Sequence, residues 1–194
     1  MEKLTSDFFD RDTVTVAREL LGKHLVRVWG GVPLTVRITE TEAYVGRSDK
    51  ACHAYGYKRT KRTETLFAPP GTAYIYFIYG MYHCLNFVTE EEGEPCAILI
   101  RGARPVEGVE FLARNRFGKG AGDLSPYQQR NFLNGPGKLC KALDLTRAQN
   151  GLDLTGEALY VLDAGHTPQQ IKTGPRVGID YAEEAVHFPW RFYL

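Results

Sequence analysis

A chain of 194 residues is long enough for one domain to bury roughly 70% of the surface its unfolded form exposes, and 43% hydrophobic with 24% charged residues excludes collagen-like, coiled-coil and disordered classes. Twenty-four Lys and Arg against 23 Asp and Glu leave a net charge of +1, so bulk charge argues neither for nor against a nucleic-acid partner. No run reaches the roughly 18 apolar residues of a membrane span, and the polar start from Met1 to Asp7 is no secretory signal, which predicts an intracellular protein without a membrane, in one domain over residues 1–194.

The first helix is predicted from Asp12 to Leu21, where Val16, Ala17, Leu20 and Leu21 keep helical spacing and Gly22 is the stop. A hairpin follows, His24 to Trp29 and Leu34 to Tyr44 around Gly30-Gly31. A second hairpin pairs Thr72 to Tyr79 with His83 to Val88, and Gly80-Met81 suits a type II′ turn. Pro95 to Arg101 supplies another strand. Helices are expected over Pro105 to Phe117, from the Ser125-Pro126 cap, and over Gly137 to Leu143; Ala158 to Leu162 and the end of the chain return to extended structure. With no βαβ rhythm, the fold class is α+β: a curved, mostly antiparallel mixed sheet flanked by helices, with a protruding β-hairpin.

Four widely spaced cysteines (Cys52, Cys84, Cys96, Cys140) lack zinc-site or disulfide-framework spacing and are read as reduced, with no metal expected. Six basic residues from Arg47 to Arg62 face one acid, Asp49, and an acidic cluster, Glu90 to Glu94, lies downstream; a basic face and a solvated loop are both open readings. Along Leu34 to Tyr44, strict alternation places Glu40, Glu42 and Tyr44 on the side of Leu34, Val36 and Ile38. These carboxylates then either enter a cleft, where one can act as a base, or pair with cations such as Arg37. Tyr79, Met81 and Tyr82 at a hairpin tip are unusual because exposed rings forgo favourable burial; they suit either a wedge inserted between base steps or a contact with the body or a second subunit. Tyr44, His53 and Tyr76 could sandwich a flat ligand or simply pack in a core. Gly135-Pro-Gly-Lys138 is a weak anion-site signal without Walker spacing.

Arg37 to Tyr44, Ala51-Cys-His53, Gly71 to Tyr82, Ala97 to Arg101, Gly135 to Cys140, Arg176-Val-Gly178 and Arg191-Phe-Tyr193 follow one another as in the alkyladenine (3-methyladenine) DNA glycosylases, which the chain resembles from its first helix to its end. That resemblance implies an enzyme that flips a damaged purine (3-methyladenine, 7-methylguanine, hypoxanthine or ethenoadenine) from double-stranded DNA and hydrolyses its N-glycosidic bond, without metal or cofactor. It gives Glu42 the role of general base, with Arg101 and the Val177 carbonyl holding the water. Tyr44, Ala51, His53, Tyr76 and Asn86 correspond to the base pocket, the Ala51 backbone and the His53 side chain bonding the base and Asn86 excluding normal guanine. Tyr79 corresponds to the intercalating residue, beside Met81 and Tyr82, and Thr60, Arg62 and Lys138 to groups near the DNA backbone. His53 is one donor that a neutral lesion could use. No lysine stands where the family carries a nucleophile, so a monofunctional enzyme acting as a monomer is expected. The net charge is low for the family, and no long arm precedes the first helix. The competing readings are a non-catalytic module for distorted nucleic acid, since the family's fold resembles a tRNA-binding domain of formyltransferases, and, weakly, a sugar hydrolase using Glu40 and Glu42.

Overall fold

In the computed structural model, which describes residues 1–194, the chain opens with strand β1 (Glu2–Lys3) and two helices, α1 (Ser6–Phe9) and α2 (Thr13–Glu19). Asp12 caps α2 by accepting the Thr15 N–H at 2.8 Å, which satisfies a first-turn donor that has no partner in the helix. β2 (His24–Trp29) and β3 (Val32–Val45) form the first hairpin, with Trp29 opposite Val32 and both turn glycines at positive φ, the backbone that matches strand twist.

The second hairpin, β4 (Ala73–Ile78) and β5 (Tyr82–Thr89), differs from expectation at its turn. Met81 N–H bonds the Ile78 carbonyl at 3.3 Å, and the two central residues are Tyr79 (φ 54°) and Gly80 (φ 68°). Positive φ at both is the pattern of a type I′ turn rather than the II′ turn centred on Gly80-Met81. A non-glycine residue at that φ is strained.

β6 (Cys96–Glu107) runs past the predicted strand and takes Pro105 to Glu107 from the expected helix, so α3 spans only Val109–Phe117. Pro105 is tolerated because the β3–β6 register shifts there, Val36 facing Pro105 and Thr35 facing Glu107. The rest comprises α4 (Pro126–Arg130), α5 (Pro136–Ala142), β7 (Leu159–Asp163), β8 (Lys172–Gly174) and β9 (Arg191–Tyr193). Ser125 and Gln128 form a reciprocal capping box on α4. The nine strands make one sheet in the order β1-β7-β2-β3-β6-β5-β4, with β9 beside the later part of β3 and β8 beside β9. Every strand pair is antiparallel. No helix is long and apolar enough to cross a membrane.

One sheet face meets α2, α3 and α5 in the main core, which includes Leu34, Val36, Ile38, Ala43, Ile98, Ile100, Leu85 and Phe87. Two small apolar clusters, one around Cys52, Leu66, Phe67 and Tyr74 and one around Ala51, Ile179 and Ala182, gather where the 46–71 loop and the 175–190 segment meet Tyr44 and its neighbours.

Strand β3 does not keep the strict alternation expected of it. Its pairs with β6 run Ile38–Ala103, Glu40–Gly102 and Thr41–Ile100, leaving Thr39 unmatched on one strand and Arg101 on the other. These two bulges flip the parity of both strands and then cancel in register. Beyond them Thr41 and Ala43 face the core, Thr41 donating to the Ala17 carbonyl of α2 at 2.7 Å. Glu42 and Tyr44 therefore lie on the face opposite Leu34, Val36 and Ile38.

Candidate active site and nucleic-acid interface

Four neighbouring strands present alternate residues on that second face: Glu42 and Tyr44 from β3, Leu99 and Arg101 from β6, Cys84 and Asn86 from β5, Tyr74 and Tyr76 from β4. All but Glu42 line a cavity of about 710 Å³, closed by His53, Arg62, Val177 and Tyr181 from the overlying loops and by Tyr79, Tyr82, Arg116 and the 135–138 turn at its rim.

Glu42 sits behind this wall with no exposed surface. Its Oε2 accepts the Tyr44 hydroxyl at 2.7 Å, and its Oε1 accepts the Val177 N–H at 2.9 Å and lies 3.5 Å from Arg101 Nε. Burial raises its pKa, and Arg101, the Tyr44 hydroxyl and the Val177 N–H oppose that rise. A carboxylate so placed is oriented yet still able to take a proton. The backbone group that Val177 offers it is the amide, whereas the expectation concerned the carbonyl. Glu40 is held differently: its Oε1 accepts Arg101 Nε at 3.0 Å and Arg191 Nε at 2.6 Å. With both glutamates tied to Arg101, the acid–base pair required by a sugar hydrolase loses its support.

The aromatic wall is continuous. His53 meets Tyr76 edge-on with ring centres 4.7 Å apart, and Tyr74 lies 5.5 Å from Tyr76. His53 Nδ1 is 3.2 Å from the Tyr74 hydroxyl. Burial first and the Arg62 charge second push the His53 pKa down to about 4, so the ring is neutral near pH 7. A neutral ring disfavours His53 as an imidazolium donor in the free protein and suits it as a hydrogen-bonding group. Asn86 is buried, its carboxamide nitrogen donating to the Tyr74 carbonyl at 3.1 Å. Ala51 lies behind the wall instead of in it: its N–H bonds Asp49 and its carbonyl accepts the Tyr181 hydroxyl at 3.2 Å.

At the hairpin tip Tyr79, Met81 and Tyr82 are 79%, 66% and 44% exposed. Tyr82 leans on the 135–138 turn so closely that a Cβ on Gly137 would come within 2.8 Å of its ring. Lys138 bonds Asn134 at 2.8 Å and lines the cavity; Thr60 stays outside, exposed and bonded to Thr63. The basic run from 47 to 62 is not one positive face. Arg47 pairs with Glu90 and Glu94, Lys50 with Glu183 and Glu184, and Arg59 with Glu64. The unpaired cations are Lys58, Lys61 and Arg62, and α3 and α5 add Arg116, Lys138 and Lys141 at the cavity.

Sequence reasoning assigned no role to the pair that holds the site together. Arg176 and Asp49 are both fully buried side chains in a two-pronged ion pair. Arg176 also donates to the Ala43 and Ala185 carbonyls and stacks its guanidinium 4.7 Å from the Tyr44 ring centre. It thus fixes Tyr44 and, through its chain neighbour Val177, the amide on Glu42. The only early signal was an Arg-Val-Gly motif.

The sequence model of the family described as Methylpurine-DNA glycosylase (MPG) matches residues 7–194. The chain is 53% identical over 195 residues to a protein of Clostridium perfringens strain SM101, the match covering 99% of this chain and 95% of the relative. It is 52% identical over 194 residues to one from Desulfitobacterium hafniense strain Y51, covering 100% and 96%, and 50% identical over 197 residues to one from Bacillus cytotoxicus, covering 99% and 96%. All three relatives carry the name "Putative 3-methyladenine DNA glycosylase".

Proposed function

The chain belongs to the methylpurine-DNA glycosylase family, and from that premise we propose that it releases 3-methyladenine and related damaged purines from double-stranded DNA by direct attack of a Glu42-activated water. The family and its members make the chain a DNA-repair glycosylase. The observation that carries the finer reading is Glu42, fully buried and held by two hydrogen bonds and an ion pair, directly behind a tyrosine-lined cavity whose mouth bears an exposed tyrosine tip.

In this mechanism Tyr79 enters the stack in place of the extruded nucleotide, and the ring's burial offsets part of the few kcal/mol that flipping costs. The base enters between Tyr44, Tyr76 and His53. Glu42 accepts a proton from water as the water oxygen bonds the sugar's anomeric carbon. The glycosidic bond breaks and its electron pair leaves with the purine. A base carrying positive charge from N3 or N7 alkylation departs neutral, and the surrounding π-faces attract it by about 0.5–2 kcal/mol before it leaves. A neutral purine such as hypoxanthine must also receive a proton, and the low pKa of His53 argues that it does not arrive there as imidazolium. No covalent bond to the protein forms, and the product is an abasic site in DNA inside the cell.

Glu42→Gln keeps the size and two hydrogen-bonding atoms but removes the base. Under single-turnover conditions it is expected to cut release of 3-methyladenine or hypoxanthine by about a hundredfold or more while binding of the lesion duplex survives, and borohydride should trap no enzyme–DNA adduct in the parent. Release at the parent rate by the variant overturns the base assignment. Duplex binding with no release by the parent instead identifies a non-catalytic module.

A further inference from the structure

We propose that Arg62 is a movable plug of the base cavity: in the free protein its guanidinium occupies the face of Tyr76, and it must swing out to a DNA phosphate when a base enters. This rests on the reading of the cavity as a base pocket.

The guanidinium carbon lies 5.2 Å from the Tyr76 ring centre, and Arg62 both lines the cavity and is exposed to solvent. A planar delocalised cation on a tyrosine face presents the same chemistry as an alkylated purine there, so the two compete for one surface. Its charge is felt on three sides of the cavity, lowering the pKa of His53 and opposing the burial-driven rise at Tyr74 and Tyr76.

Three other cations of the same loop are committed elsewhere, Arg47, Lys50 and Arg59 each holding carboxylates. Arg62 has an aromatic partner in place of a carboxylate, so leaving its place breaks no ion pair. Its backbone, by contrast, is anchored: the Thr63 hydroxyl donates to the Lys58 carbonyl at 2.9 Å and accepts the Thr60 N–H at 2.8 Å. The side chain can therefore swing on a fixed turn, at the rim that also carries Tyr79. In from the rim it covers Tyr76; out from it, it meets a backbone drawn up to the tip. After bond cleavage its return would compete with the free base and help to expel it.

The signature is a pair of effects with opposite sign. For Arg62→Gln, binding of free 3-methyladenine, read by quenching of tyrosine fluorescence, is expected to tighten by about fivefold, the worth of one exposed cation–π contact. Binding to an undamaged duplex is expected to weaken, with the slope of log K against log salt smaller by about 0.9. Arg62→Lys, which keeps the charge and loses the planar stack, should tighten free-base binding and hold duplex binding near the parent. An unchanged or weakened affinity for the free base in both variants overturns the plug, whether or not duplex binding falls. Base release from a 3-methyladenine duplex by the parent, measured alongside, separates the two ideas: its absence removes the glycosylase reading itself, its presence with no tightening removes only the plug.

Discussion

Tyr44 carries two tasks that a single change can separate. Its ring walls the cavity and its hydroxyl holds Glu42. That hydrogen bond favours the charged carboxylate, so Tyr44→Phe keeps the wall and lets the Glu42 pKa rise further. A base works only when ionised, so activity fades as pH falls through that pKa, and the acid limb of the single-turnover pH–rate profile should move to higher pH. The alkaline plateau should change little; a limb that stays in place would mean that another group titrates there. Tyr79 poses a different trade. Its positive φ costs a side-chain-bearing residue about 1–2 kcal/mol, so Tyr79→Gly should raise Tm by about 2–8 °C while lesion binding falls. A stability gain with undiminished binding would remove the wedge role. Both tyrosines stand in motifs whose resemblance pointed to them, yet the strain at Tyr79 was not readable, because the turn's position slipped by one residue from the Gly80-Met81 that the letters favour.

Elements explain why strict alternation put Glu42 on the wrong face of β3. In Thr39-Glu40-Thr41-Glu42 the polar letters suit either face, so nothing in β3 alone announces a bulge; the signal lies in the partner strand, where Ile100 and Ala103 are both core residues with two positions between them. Contacts across long sequence separation were equally hidden. Asp49 and Arg176 are 127 residues apart, and neither letter indicates the other. Their pair joins the 46–71 loop to the 175–190 segment, the two irregular stretches that roof the cavity. Asp49→Asn leaves Arg176 buried beside an uncharged partner, and breaking such a pair costs about 3–5 kcal/mol. Denaturant unfolding should show that loss as a lowered midpoint, and excision should fall through displacement of Val177 and Tyr44. A loss under 1 kcal/mol would show that the roof is held by its apolar clusters alone.

The α+β class, the two hairpins and helix α2 were legible because apolar periodicity and turn residues are local signals, whereas the short β1 and α1 before them carry too few residues to show a period. Charge placement was not, because pairing depends on which loops fold together. A positive face made of the 47–62 run predicts that each of its cations sets the salt dependence of DNA binding; under the proposed function the cations left unpaired would set it instead. Four to six of them would give a slope of log K against log salt of about −4 to −5. Lys138→Ala should reduce that slope by about 0.9 and Lys50→Ala should leave it unchanged. The reverse pattern would return the interface to the loop.

The paired bulges also constrain how this architecture can change. Arg101, the unmatched residue of β6, is the group that reaches both glutamates, so straightening that strand would discard the guanidinium along with the irregularity. Removing Thr39 alone would leave Arg101 without its counterpart and slip the ladder. The segments 38–45 and 96–103 must therefore gain or lose residues in concert, and anyone grafting this floor of the cavity onto another sheet has to transplant both defects together.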